Sequence, residues 1–277
     1  MNPIAFEIGP FTIFWYSLFV LAGFLAGYFL AYREFKRLKL SLDFLSDYFF
    51  YVVPIAIIGA RIHYVIFRWD VYSNDLGQIL AIWNGGLAIH GGIIAAILFT
   101  IYYTRKHKVS TLKFMDIAAP CLILGQAIGR WGNFFNQEAF GVAVEADFLR
   151  SVFIPEFIIN GMRIDGVYYH PTFLYESLLC LLGLGLIMLI RKIKSIKVGE
   201  QTALYFVIYG ISRLFVESIR TDSLMLGNFR VAQIISVIMI LIGLALFIRQ
   251  RIYSQELYNE IPQDNKKDKK KKKGGRK

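Results

Sequence analysis

The chain has 277 residues, 56% of them apolar, and a mean hydropathy of +0.49. Its formal net charge is +11, but much of the excess lies in the lysine-rich stretch 266–277, beyond the last apolar run. Such a run reads as a solvated segment that an anionic membrane surface would attract, and it excludes nucleic acid as the implied partner.

Seven apolar runs approach the roughly 20 residues that a bilayer crossing needs. The predicted spans are 11–32, 46–67, 85–104, 114–130, 172–190, 202–219 and 231–248. The expected fold is therefore an all-α integral membrane protein with seven transmembrane helices. Residues 1–10 have no basic n-region and carry Glu7, so the first span is expected to be retained rather than cleaved. Lys and Arg concentrate after the first, third and fifth spans, as in Arg33-Glu-Phe-Lys36-Arg37 and Arg105-Lys106-His107-Lys108. By the positive-inside rule the N-terminus lies outside and the C-terminus in the cytoplasm. Residues 1–250 read as one polytopic catalytic domain with an extracytoplasmic segment at about 131–171. That segment is too short for an independent soluble domain. Residues 251–277 read as a basic, disordered cytoplasmic tail.

Polar residues inside these spans carry the chemistry, because intramembrane charge is costly and is a functional-site hypothesis by default. Tyr16 opens the first span, where an aromatic-belt residue is the plain alternative. Arg61 adds a guanidinium to the second. His90 is flanked by glycines in Gly85-Gly86-Leu-Ala-Ile-His90-Gly91-Gly92. Those glycines suit helix packing, but they also let a ligand approach. Histidine is the natural proton acceptor near neutral pH. Arg130 ends the fourth span and is followed by Asn133, Asn136 and Glu138. The motif His170-Pro-Thr-Phe-Leu-Tyr175-Glu176 opens the fifth, where the proline and the glutamate suit helix capping. On the sixth, Tyr209, Arg213, Glu217 and Arg220 fall on one helical face. Pairing Arg213 with Glu217 leaves an excess arginine that an anionic ligand would neutralise. Cys121 and Cys180 lie within spans and read as buried structural thiols, and no cysteines and histidines have metal-ligand spacing. Arginine is the planar, bidentate partner of phosphate, so an amphiphile with an anionic head fits these residues. A transporter of an anionic lipid would explain the intramembrane arginines equally well, though not the density of motifs.

Those motifs resemble the bacterial prolipoprotein diacylglyceryl transferases over nearly the whole chain. The resemblance is carried by Gly86-Leu-Ala-Ile-His90-Gly-Gly, by Gly129-Arg130-Trp-Gly-Asn133-Phe-Phe-Asn136-Gln-Glu138-Ala-Phe-Gly141, by the His170 motif, and by Arg213-Leu-Phe-Val-Glu217-Ser-Ile-Arg220-Thr-Asp222. It implies transfer of the diacylglyceryl group of phosphatidylglycerol to the lipobox cysteine of a prolipoprotein signal peptide, in the bacterial cytoplasmic membrane and without a cofactor. It also implies that Arg130, Asn133, Glu138, Gly141, Arg213 and Glu217 form the essential polar site, with His90, Tyr16 and Tyr209 contributing. Arg130 and Arg213 would stabilise the departing phosphate, and His90 would take the thiol proton. Arg61, Asn136 and Arg220 join the expected lipid-binding set on their polarity within the membrane domain.

Overall fold

The computed structural model describes residues 1–9 and 11–260, so the lysine-rich stretch 266–277 lies outside the described residues. The chain opens with a hairpin of β1 (Ile4–Ile8) and β2 (Phe11–Phe14) before α1 (Trp15–Arg37). Next come α2 (Leu42–Phe67), the short α3 (Trp69–Tyr72), two 3-10 turns at Leu76–Leu80 and Ile82–Asn84, and α4 (Ile89–Lys106). α5 (Thr111–Asn136) leads into α6 (Ala146–Ser151), α7 (Glu156–Gly161) and a hairpin of β3 (Arg163–Ile164) and β4 (Val167–Tyr168). α8 (Thr172–Ile190), α9 (Glu200–Ile219), a third hairpin of β5 (Met225–Leu226) and β6 (Phe229–Arg230), and α10 (Val231–Tyr253) complete the described order.

Among the described residues, α1, α2, α5, α8, α9 and α10 are long and apolar enough to cross a membrane. Helices suit that solvent because their backbone groups bond internally. Large apolar side chains stay exposed along them, including Leu25 and Phe29 on α1, Ile62 and Ile66 on α2, and Leu182 and Leu189 on α8. Water would not tolerate such surfaces, and lipid does. This is a mostly helical, multi-pass membrane protein. α4, the expected third span, is not among the six; it has 18 residues, and its last turn is Arg105-Lys106.

Three expected boundaries move. Residues 11–14 pair as a strand, so the first helix begins later than position 11. The fourth helix does not stop at Arg130 but continues for almost two turns to Asn136, placing Asn133 and Asn136 on a helix. The expected tail boundary at 251 falls inside α10, and Tyr258 beyond it is fully buried.

The chain forms two compact units. One comprises Met1–Glu34 and the residues from Met115 onward. Within it Ala119, Ile123 and Ala127 of α5 pack with Cys180 and Ile187 of α8 and Tyr205 of α9. Ser177 Oγ donates to the Ala127 carbonyl across the α5–α8 contact at 2.9 Å. Cys180 belongs to this core, and neither it nor Cys121 is in a disulfide. The connection from α5 to α8 has its own small core of Phe134, Leu149, Ile158, Ile159, Met162 and Phe173, with the Phe134 and Phe173 rings stacked at 4.7 Å. That core fixes the loop that follows Asn136. The second unit, Phe35–Phe114, is built on α2 against α4. There Gly59 and Gly91 meet so closely that a Cβ on either would collide with the other helix. Small residues of this kind let helix backbones approach in a membrane.

Candidate active site

Glu176, one turn into α8, is the centre of the first unit's polar cluster, and its side chain is only 2% exposed. Its Oε1 lies 2.7 Å from Arg130 Nη2 on α5, and its Oε2 lies 3.1 Å from Arg213 Nη1 on α9. Arg213 Nη2 also meets Glu217 Oε2 at 2.8 Å, one helical turn further along α9. Glu217 Oε2 is 4.0 Å from Arg220 Nε, and Arg220 forms a two-pronged pair with Asp222 at 2.9 Å for each bond. Arg230 Nη1 donates to the Glu217 carbonyl oxygen. Buried ion pairs are expensive to assemble and more expensive to break, because the surviving charge is left without a partner. Three helices are held in register by charge.

The segment after Arg130 adds amides and a carboxylate. Asn133 Oδ1 accepts from Arg130 Nη1 at 3.4 Å, while Asn133 Nδ2 donates to Glu138 Oε1 at 2.8 Å. Asn136 Nδ2 reaches the same Glu138 oxygen at 3.3 Å. Just past the helix end the chain turns through Gln137 and Ala139, both at positive φ, and the Thr172 hydroxyl donates to the Ala139 carbonyl. Gly141 pairs with Arg220 in an isolated bridge and donates its N–H to the His170 carbonyl at 3.0 Å. A Cβ at Gly141 would stand 2.7 Å from His170 Cβ and 3.1 Å from the Ile219 carbonyl oxygen, so close approach demands glycine there. His170 Nδ1 lies 3.0 Å from the Tyr175 hydroxyl, and burial holds this imidazole below its ordinary value. Tyr16 packs against Gly132, and Tyr209 lies within electrostatic reach of Glu176, Arg130 and Arg213. A small recess beside this cluster is lined by Arg130, Asn133, Ala139, Thr172, Phe173, Glu176 and Arg220. Arg130 Nε is buried there without a hydrogen-bond partner among the described residues.

The second unit holds His90 and Arg61. His90 is in the first turn of α4, exposed, with its ring centroid 6.4 Å from that of His63 on α2. Arg61 is used differently from the lipid-binding role expected of it. Its Nε donates to Ile79, its Nη1 to Gly85 and Gly86, and its Nη2 to Gln78 and Ala81, all through carbonyl oxygens. The Tyr72 ring covers the guanidinium at 5.1 Å. All five donors are committed to the loop before α4, so Arg61 holds that loop and presents no N–H to a ligand.

Arg130, Asn133, Asn136, Glu138, Gly141, Tyr16, Tyr209, Arg213, Glu217 and Arg220 thus occur together in the first unit, while His90 and Arg61 belong to the second. The excess arginine anticipated on α9 is met by Asp222. Glu176, absent from the expected site, joins two of its arginines. The signal was its motif, but its position near a helix start suggested capping instead. Arg230 gave no signal, since its target is a backbone carbonyl.

The family model described as prolipoprotein diacylglyceryl transferase matches residues 3–249. A phosphatidylglycerol–prolipoprotein diacylglyceryl transferase of Bacillus licheniformis is 50% identical over 264 residues, covering 94% of this chain and 97% of its own. Proteins of the same name from Bacillus velezensis and Listeria welshimeri are 47% and 45% identical, over 93% and 91% of this chain and 96% and 91% of theirs. The chain belongs to the prolipoprotein diacylglyceryl transferase family.

Proposed function

We propose that this protein transfers the diacylglyceryl group of phosphatidylglycerol to the lipobox cysteine thiol of prolipoproteins in the bacterial cytoplasmic membrane. One observation carries the reading: Arg130 and Arg213 share Glu176 beside a space that Arg130, Arg220, Asn133 and Thr172 also line. Guanidinium and amide donors are the groups that grip a phosphate diester. In this reading α4 completes seven crossings, with the N-terminus outside and the site toward the extracytoplasmic leaflet, which the Lys and Arg distribution supports.

In this reading Arg130 and Arg220 receive the headgroup phosphate. Arg213 braces Glu176 and Glu217 and supplies positive charge from behind. Glu138, held by Asn133 and Asn136, orients the loop that closes on the lipid. His90 takes the proton of the cysteine thiol, a step worth roughly 10²–10⁴-fold. The thiolate attacks the glycerol carbon that bears the phosphate ester. A carbon–sulfur bond forms and the carbon–oxygen bond breaks, with its electron pair leaving on glycerol phosphate. Fixed arginines stabilise that growing charge best where water is scarce. Incubating the purified protein with labelled phosphatidylglycerol and a lipobox peptide tests the reading. Thioether product and released glycerol phosphate are expected. Lipid movement between leaflets without product would replace the enzyme with a transporter.

A further inference from the structure

A second polar cluster lies in the first unit, at the opposite ends of α5, α8 and α9. Asp116 on α5 is fully buried. Its Oδ2 accepts from Gly199 N at 2.6 Å, and its Oδ1 accepts from Thr202 N at 2.8 Å and Thr202 Oγ1 at 2.7 Å. Gly199 is the N-cap of α9 and has no side chain to offer, so Asp116 does the capping from another helix, where the helix dipole also favours its charge. Arg191, at the C-terminal end of α8, donates to Gln201 Oε1 at 2.6 Å and to the Asp116 carbonyl at 3.2 Å, and pairs with Glu34 of α1 at 3.3 Å.

The segment after α10 closes this cluster. Val198 N donates to the Glu256 carbonyl at 3.0 Å, and Tyr258 N donates to the Ile196 carbonyl at 2.9 Å. The Tyr258 hydroxyl donates to Glu34 Oε1 at 2.5 Å, its ring lies 5.5 Å from the Arg191 guanidinium, and Asn259 Nδ2 donates to the Arg191 carbonyl at 3.0 Å. Burial raises the Tyr258 hydroxyl above the ordinary tyrosine value, which keeps it a neutral donor.

We propose that residues 256–259 are a positioning strap for the arginine–carboxylate site: by closing on Arg191 and Glu34 they fix the axial rotation of the helices that carry Arg130, Glu176 and Arg213. The inference rests on those residues being the reaction site. Each of the three helices links the two clusters, through Asp116 and Arg130 on α5, Glu176 and Arg191 at the two ends of α8, and Thr202 and Arg213 on α9. The separations of eleven to fifteen residues span roughly 16–23 Å along the axes. The shared carboxylate of Glu176 holds both arginines only if the helices keep their rotation. A misplacement of about 1 Å transmitted from afar costs up to ~100-fold in rate.

The test compares Tyr258→Phe, Tyr258→Ala and a chain ending at Glu260, each isolated as folded protein by size-exclusion chromatography. Turnover per folded molecule, KM for phosphatidylglycerol and the unfolding midpoint are measured together. Tyr258→Phe is expected to lose about threefold to tenfold in turnover and Tyr258→Ala up to about a hundredfold, with KM unchanged. The chain ending at Glu260 keeps full turnover. Should Tyr258→Ala not fold, Tyr258→Phe decides alone. Unchanged turnover per folded molecule, whether or not the unfolding midpoint falls, overturns positioning. A rise in KM without loss of turnover also overturns it. Arg130→Ala, run alongside, separates the two readings: if it keeps full activity the site itself is misassigned, whereas its loss with intact Tyr258 variants sinks only the strap.

Discussion

Arg130 and Arg61 are both arginines within membrane-spanning helices, and their surroundings put them to opposite uses. Arg130 meets a carboxylate shared with Arg213, keeps a buried Nε without a partner among the described residues, and lines a space beside α8. Arg61 has every donor on a backbone carbonyl between Gln78 and Gly86. The first arrangement can bind and respond to a second anion. The second is complete and serves the loop alone. An intramembrane arginine therefore announces a polar neighbour, and only its partners say whether that neighbour is substrate or scaffold.

Removing the carboxylate-paired arginines is the largest test of that contrast. Arg130→Ala and Arg213→Ala are each expected to lower thioether formation by at least about 10³-fold, since each removes transition-state charge and leaves Glu176 short of a partner. Arg130→Lys recovers little, because an ammonium lacks the planar fork that grips a phosphate through two N–H groups. Saturating lipid and purified protein at equal folded amount make the comparison fair. Near-normal rates in both alanine variants would move the chemistry elsewhere.

His90→Gln should come next, with a loss of about 10²–10⁴-fold at neutral pH and normal phosphatidylglycerol binding. Raising the pH toward the free-thiol pKa of about 8.5 should restore part of the rate, because solvent then supplies thiolate. A pH-independent deficit, or lost lipid binding, would make His90 a headgroup or packing residue.

Arg61→Lys is predicted to act through the scaffold. It keeps the charge but forfeits most of five carbonyl contacts, so hydrogen exchange across residues 76–86 should quicken. Turnover should fall by no more than about tenfold with KM for lipid unchanged. A rise in KM for phosphatidylglycerol with unchanged exchange across residues 76–86 would return Arg61 to the lipid.

The helix-paired part of the site was legible in sequence because spacing on one helix is local information. Arg213 and Glu217 are four apart on α9, and the structure pairs them at 2.8 Å. Glu176 was not, since the arginines it joins lie 46 and 37 positions away. Six of the predicted spans were readable from apolar length, but the end of α5 was not. Asn133 and Asn136 look like loop residues until Phe134 is seen packing on Phe173 and holding the helix to Asn136. The role of Asp116 is not legible in the sequence, because it depends on an α9 N-terminus more than eighty residues away. Tyr258 was lost in an expected tail for the same reason.

The smallest effect is expected from deleting residues 266–277, which lie outside the described residues and carry no motif of the family. Abundance or insertion can change through lost attraction to anionic lipid, but turnover per molecule should stay within about twofold. A large fall at equal abundance would assign the lysines a part in the reaction.

Phosphatidylglycerol carrying a photoreactive headgroup, cross-linked to the purified protein and mapped by mass spectrometry, tests the contrast between the two arginines most directly. The headgroup should label the walls of the space beside Glu176, at Asn133, Ala139, Thr172 or Phe173, and the labelling should disappear with excess unlabelled phosphatidylglycerol. Labelling confined to residues 76–86 around Arg61, with those walls untouched, would contradict the account.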